Sequence, residues 1–191
     1  MRKLKLQMQS TVDGYVAGPE GQLDWMDPGQ VGAGADPEIH AFINEVVDTS
    51  DTILMGRKMT PDFVNYWEKV AAQPDSPEHA FAQKMVALPK VVFSRTVKHV
   101  DGRNVRVENG DLAAVVTKMK GEPGKDLLVY GGATFVASLI EHGLIDEMHL
   151  FVNPVAIGNG MRIFKERKPL ELTASRRYAR GMVVNSYQPS R

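Results

Sequence analysis

The sequence contains no cysteine. A disulfide framework, a thiolate nucleophile and a Cys-ligated zinc site are therefore excluded, and the absence fits a reducing cytosol. Excess charge of either sign is also missing, since 23 Lys and Arg balance 23 Asp and Glu. Nucleic-acid binders usually carry a basic excess or stripe, so no nucleic-acid partner is expected. No apolar run approaches the ~18 residues of a membrane span. The opening stretch MRKLKLQMQS is basic but lacks the apolar core of a signal peptide. These absences lead to the expectation of a soluble, cytoplasmic protein without a membrane partner. The histidines, His40, His79, His99, His142 and His149, show no metal-ligand spacing with a carboxylate, so no metal site is expected.

What is present is the mixture of an ordinary globular protein, with 43% hydrophobic and 24% charged residues in 191. That length suits a single domain, 1–191, with a sizeable core. In LKLQMQS, Leu4, Leu6 and Met8 alternate with Lys5, Gln7 and Gln9, which predicts a first strand. A long glycine- and proline-marked loop follows, a length uncommon unless the loop is functional or disordered. Asp36-Pro37 opens a helix whose apolar stripe is Ile39, Phe42, Ile43, Val46 and Val47. TILMGR is a short buried strand. The next helix starts near Pro61 and carries Phe63, Tyr66, Trp67 and Val70 on one face. A helix through Phe81, Met85 and Leu88, the strand KVVFS and the short strand NVRVEN come next, before a helix capped by Asp111. DLLVYGG is a strand, ATFVASLIEHG a helix ended by Gly143, and DEMHLFVNPVAI a strand interrupted at Pro154. The last segment, LELTASRRYARGMVVNSYQP, reads as a hairpin turning near Gly181. Alternating strands and helices predict an α/β fold with a mixed, mostly parallel central sheet and a C-terminal antiparallel hairpin.

Ligands of such sheets bind beyond the carboxyl ends of the strands. There, ILMGRK supplies Gly56, Arg57 and Lys58, VVFSR supplies Ser94 and Arg95, and LVYGGAT supplies Gly131, Gly132, Ala133 and Thr134. Glycine admits close backbone approach, a helix start binds anions, and Arg matches phosphate geometry. Taken singly, the glycine pair reads equally as a tight strand–helix turn, and each basic pair as a solvated strand end. Together they suit a ligand with several phosphates. Neither the P-loop pattern nor the G-x-G-x-x-G fingerprint occurs.

The ordered set STVDGYVAG, LDW, ILMGRK, VVFSRT, LLVYGGATFVASLI, LIDEMHLFVNPVAIGNG and RIF resembles the dihydrofolate reductase-like family. More specifically, it is similar to stand-alone relatives of the reductase domain at the C-terminus of the riboflavin biosynthesis protein RibD. The resemblance runs from about Met1 to Tyr187. It implies a dihydrofolate reductase-like three-layer α/β/α fold and NADPH as hydride donor. It places Gly56, Arg57 and Lys58 at the pyrophosphate and adenosine, Ser94 and Arg95 at the 2′-phosphate, and Gly131 to Thr134 at the second phosphate turn. Val16 falls beside the nicotinamide. Met59 stands where the family commonly has Thr, with Thr60 one place later, and Ala133 replaces the third glycine of dihydrofolate reductase.

Gln9, Trp25 and Tyr130 are the substrate candidates. No catalytic acid is assigned. Asp13, Asp24, Asp36 and Glu38 are open as proton donors, as is water, with Asp13 and Asp24 reading better as turn-formers. The zinc deaminase motifs of bifunctional riboflavin enzymes, H-x-E and P-C-x-x-C, do not occur. The expected function is NADPH-dependent reduction of a small heterocycle, a ribosylamino-pyrimidine or a pterin-like compound. The alternative is a non-catalytic nucleotide-binding regulatory or interaction protein. The riboflavin-type relatives also imply a homodimer. The strand from Met148 to Ile157 is apolar on both faces and needs cover on both, so Phe151 reads either as lying near the interface or as an ordinary core residue beneath a helix.

Overall fold

Strands and helices alternate from the first residues onward. The computed structural model describes residues 1–26 and 36–190. Its order is β1 (Leu4–Thr11), α1 (Pro37–Asp48), β2 (Ser50–Gly56), α2 (Thr60–Ala71), α3 (His79–Ala87), β3 (Lys90–Phe93) and β4 (Val105–Glu108). Then come α4 (Leu112–Gly121), β5 (Asp126–Val129), α5 (Ala133–Glu141), β6 (Glu147–Asn153), β7 (Leu170–Arg177) and β8 (Val183–Pro189). The glycine-rich middle of the loop after β1 lies outside the described residues.

The strands form one eight-stranded sheet in the order β4-β3-β2-β5-β1-β6-β8-β7. β4 to β6 pair in parallel, and β8 runs antiparallel to β6 and β7. The expected mixed sheet with a terminal hairpin is therefore present. Helices cover both faces. Val116 and Met119 of α4 and Val136, Leu139 and Ile140 of α5 pack on Leu4, Leu6 and Met8 of β1. On the other face, Val46 and Val47 of α1, Phe63 and Trp67 of α2 and Met85 of α3 pack on Ile53, Met55, Val92 and Leu128.

Local chemistry sets the helix ends. Asp36 accepts from Glu38 N at 2.9 Å, and Asp111 from Ala114 N at 2.9 Å, each satisfying a first-turn N–H. Gly143, at φ +64°, closes α5 with Leu144 N donating to Leu139 O at 3.0 Å.

Three expectations need correction. Tyr66 is not on the buried face of α2. It is 47% exposed and its hydroxyl donates to Glu78 at 3.0 Å. β5 stops at Val129, so Tyr130 follows the strand and does not end it. β6 ends at Asn153 and Pro154 follows it, because Pro has no N–H to continue the ladder. Phe151 is a core residue beneath a helix: it is 2% exposed beneath α1, with Phe42 centred 6.0 Å away and Ile39, Met182 and Val184 in the same cluster.

β1 departs from the usual meaning of alternation. Its polar side is buried too, including Lys5 and Gln7, because β1 is central and α1 covers that side. On the same side of β6, His149 Nδ1 lies 2.8 Å from Ser186 Oγ and Nε2 lies 3.0 Å from Glu147 Oε1. The His149 bond, opposed by burial and helped by Lys3, pulls the Glu147 carboxyl down to about 2. A depressed carboxyl stabilises the fold fully above its unfolded pKa and loses that contribution as pH falls through the folded value. Melts at pH 5 and pH 3 are expected to show a smaller loss of stability in Glu147→Gln than in the parent.

Candidate active site

The carboxyl ends of β2, β3 and β5 lie side by side, because Gly56 is in register with Phe93 and Leu54 with Val129. The three turns read from the sequence therefore share one sheet edge. α2 and α5 begin there, immediately after β2 and β5. Unlike α1 and α4, neither has a side-chain cap. Uncapped helix starts expose free N–H groups and the positive end of the macrodipole, an arrangement that favours an anion.

The two glycines of the β5–α5 turn differ in role. Gly131 sits at φ +140°, in the region that strains a side chain. A Cβ there would lie 3.4 Å from Met59 Sδ, so the β2–α2 and β5–α5 turns touch through Met59. Gly132 has an ordinary φ of −52° and nothing within 4 Å of a Cβ. Open space thus lies over the start of α5. Ala133 is buried behind it and Thr134 is exposed.

Gly56 serves packing more than ligand approach, since a Cβ there would meet Phe135 Cβ at 2.8 Å. Arg57 and Lys58 are exposed. Thr60 is fully buried and its hydroxyl donates back to Gly56 O at 3.0 Å, so it is turned away from the edge. Ser94 Oγ accepts from Thr96 N at 3.2 Å and Val97 N at 3.1 Å, which shapes the loop presenting exposed Arg95. A hollow of about 380 Å³ lies between the start of α2 and this loop, lined by Arg57, Lys58, Pro61, Asn65, Val97 and His99 among others. Asn65, Val97 and His99 carry no sequence signal, because they meet Arg57 and Lys58 only through the fold.

Val16 is buried in the α5-side core, and its N–H donates to Met161 O at 2.9 Å. Asp13 holds the neighbouring segment. It accepts from Thr11 Oγ1 at 2.5 Å and Gly158 N at 2.8 Å, contacts that keep its carboxyl below the usual range. It is a turn-former, as is Asp36, whose carboxyl the Ala179 and Glu38 N–H groups hold low. Glu38 pairs with Arg176 at 2.8 Å at the surface, and Asp24 is exposed. None of the four carboxylates is a buried acid.

Two of the substrate candidates lie on the α1- and α2-facing side: Gln9 on the polar side of β1, and Tyr130 in the core cluster under α1 and α2, immediately before the Gly131-Gly132 turn. Gln9 is half-buried, and its amide oxygen accepts from Asn153 Nδ2 at 2.9 Å. Trp25 is half-buried with its indole N–H unpaired. The Tyr130 ring packs on Phe63, centred 5.7 Å away, and its buried hydroxyl has no partner. Burial pushes that hydroxyl far above the usual phenol range, so it stays a donor. Gln7, which no sequence pattern singled out, is 3% exposed with both amide atoms unpaired. Each such buried group costs about 1–3 kcal/mol. No cluster of metal-ligating residues occurs among the described residues, and no helix among them is long and apolar enough to cross a membrane.

Comparison with known proteins agrees with this architecture. The uncharacterized protein YyaP of Bacillus subtilis (strain 168) is 34% identical over 97% of this chain and 94% of its own length. A putative riboflavin biosynthesis protein from Shewanella sp. PV-4 superposes with a TM-score of 0.70 at 21% identity, covering 99% of both chains. Dihydrofolate reductase from Enterococcus faecalis, complexed with NADP(H), gives a TM-score of 0.61 at 14% identity, over 99% of this chain and 97% of its own. At those identities the two structures show the fold, which is of the dihydrofolate reductase type. The model of the RibD C-terminal domain matches residues 2–184. A match of that extent takes in β1 to β7 and both helix layers, and the chain belongs to the RibD C-terminal domain family.

Proposed function

We propose that this protein is an NADPH-dependent reductase of a small heterocyclic substrate, a ribosylamino-pyrimidine or a pterin-like compound. The observation that carries the reading is the pair of adjacent uncapped helix starts, α2 and α5, with Arg57, Lys58 and Arg95 exposed at the same edge. The open space at Gly132 fits a pyrophosphate approaching the start of α5. The hollow between Arg57, Lys58 and the Val97–Asp101 loop fits the adenosine end. Bound there, the cofactor supplies a hydride.

The chain's own residues bind, orient and exclude water. The first-turn N–H groups of α5 and the three cations would hold the phosphates. Val16, whose N–H donates to Met161 O, would lie beside the nicotinamide. The substrate lies over the α1-facing side, near Gln9 and Tyr130. With Asp13, Asp36 and Glu38 engaged elsewhere and burial holding the Tyr130 phenol protonated, water would deliver the proton.

Charge-assisted hydrogen bonds contribute about 1.5–3 kcal/mol each. NADPH is therefore expected to bind about tenfold or more tightly than NADH, and Arg95→Gln to remove most of that preference. Fluorescence titration of both nucleotides measures it, and equal affinities would sink the 2′-phosphate assignment. Steady NADPH oxidation with a pyrimidine, pterin or quinonoid acceptor separates a reductase from a nucleotide-binding protein without turnover.

A further inference from the structure

Gln7 is the residue that the proposed chemistry leaves unused. Lys5 pairs with Leu128 in the parallel register, so one pleat further Gln7 and Tyr130 lie on the same face of neighbouring strands. On the other side Gln7 is in register with His149. Leu128 packs with Val46 and Val47 of α1, which fixes this as the α1-facing side. A transverse row Tyr130–Gln7–His149 thus crosses the middle of the sheet beneath α1 and α2. His149 Nδ1 is engaged by Ser186, and its Nε2 lies 3.0 Å from Glu147 Oε1 without hydrogen-bond geometry. The Gln7 amide nitrogen, the Gln7 amide oxygen and the Tyr130 hydroxyl are all buried and unpaired.

Buried polar groups are normally satisfied by protein or ordered water. An amide unpaired at both ends beside an unpaired hydroxyl, in a central strand, is therefore a preformed set of donors and an acceptor without a ligand. One pleat nearer the carboxyl edge, Gln9 is half-buried, and its oxygen accepts from Asn153. The polar side of β1 thus runs from half-buried Gln9 to buried Gln7.

We propose that Gln7 and Tyr130 are the specificity-determining residues of the substrate site, reading a ring edge that carries an N–H beside a C=O. The Gln7 oxygen accepts the ring N–H, its N–H₂ donates to the ring carbonyl, and Tyr130 donates to a second acceptor on the same ring. Such complementary pairing selects strongly, because an analogue lacking the N–H leaves buried groups unpaired. The inference rests on the reductase reading for the location of the substrate.

The test uses 5,6-diaminouracil, which has the N–H groups, and 5,6-diamino-1,3-dimethyluracil, which lacks them. Calorimetric titration of the full chain, with and without NADPH, is expected to show at least about a tenfold preference for the first. Gln7→Leu is expected to abolish the preference, leave NADPH affinity unchanged and raise the melting temperature, because it removes an unsatisfied buried amide. Tyr130→Phe is expected to reduce the preference. Equal binding of the two uracils, no binding of either, or a preference that survives Gln7→Leu overturns the proposal. A Gln7→Leu protein that melts several degrees lower also overturns it, since the amide is then part of the fold. NADPH titration reports separately on the reductase reading: no NADPH binding with intact uracil discrimination would fail that reading alone.

Discussion

Gly132→Val is expected to weaken NADPH binding by on the order of a hundredfold while leaving the protein folded. The two halves of that statement rest on different observations. Folding is spared because Gly132 has φ −52° and nothing within 4 Å of a Cβ, so valine meets no protein atom there at its Cβ. Binding is lost because that same open space lies over the first turn of α5, whose N–H groups have no side-chain cap. A branched side chain in it keeps a phosphate away from those donors and exchanges a charge-assisted contact for an apolar one. Gly131→Ala is the contrasting variant. It meets Met59 at 3.4 Å and strains a backbone at φ +140°, so it lowers stability along with affinity. Fluorescence titration and thermal melts on both variants give the comparison. Normal NADPH affinity in a cooperatively melting Gly132→Val protein would remove α5 from the phosphate site.

Gly160→Ala is expected to destabilise the fold by about 3 kcal/mol, near the upper end of overpacking penalties. A Cβ at Gly160 would overlap the Ala17 carbonyl oxygen, a backbone atom that cannot swing aside. That oxygen accepts from Met161 N at 2.8 Å, and Met161 O accepts from Val16 N at 2.9 Å. The substitution therefore pushes the Val16–Ala17 segment off its support, and with it the residue assigned to the nicotinamide. At roughly 2–4 °C per kcal/mol for a chain of this size, the melting temperature falls by about 10 °C. Gly158→Ala is the control. Its φ is +72° and nothing lies within 4 Å of a Cβ, so it carries only the backbone strain. A Gly160→Ala protein no less stable than Gly158→Ala would show that the contact between these loops yields freely.

Much of this architecture was legible one residue at a time. Asp36 before Pro37 marks the start of α1, Asp111 the start of α4 and Gly143 the end of α5, and the bonds that close these helix ends span only a few residues. The three turns at the phosphate edge were legible for the same reason, as strand ends running into glycines and cations. What the local pattern does not show involves partners distant in the chain. Gly56 reads as a ligand turn, and its lack of a side chain is also required by Phe135. Tyr66 reads as part of the buried face of α2, yet it is exposed and its hydroxyl donates to Glu78.

The sequence by itself determined the elements, their alternation and the grouping of charge at strand ends, because periodicity and capping are local properties of the chain. Only the tertiary structure decided what the polar side of β1 is for. Lys5, Gln7 and Gln9 alternate with apolar residues as they would in a strand with one wet face. The strand order puts β1 between β5 and β6, and α1 closes over it, so the side that periodicity assigned to water is buried. A strand's position in its sheet depends on long-range pairing and leaves no trace in its own alternation. That position turns Gln7 from a surface residue into a buried, unpaired amide.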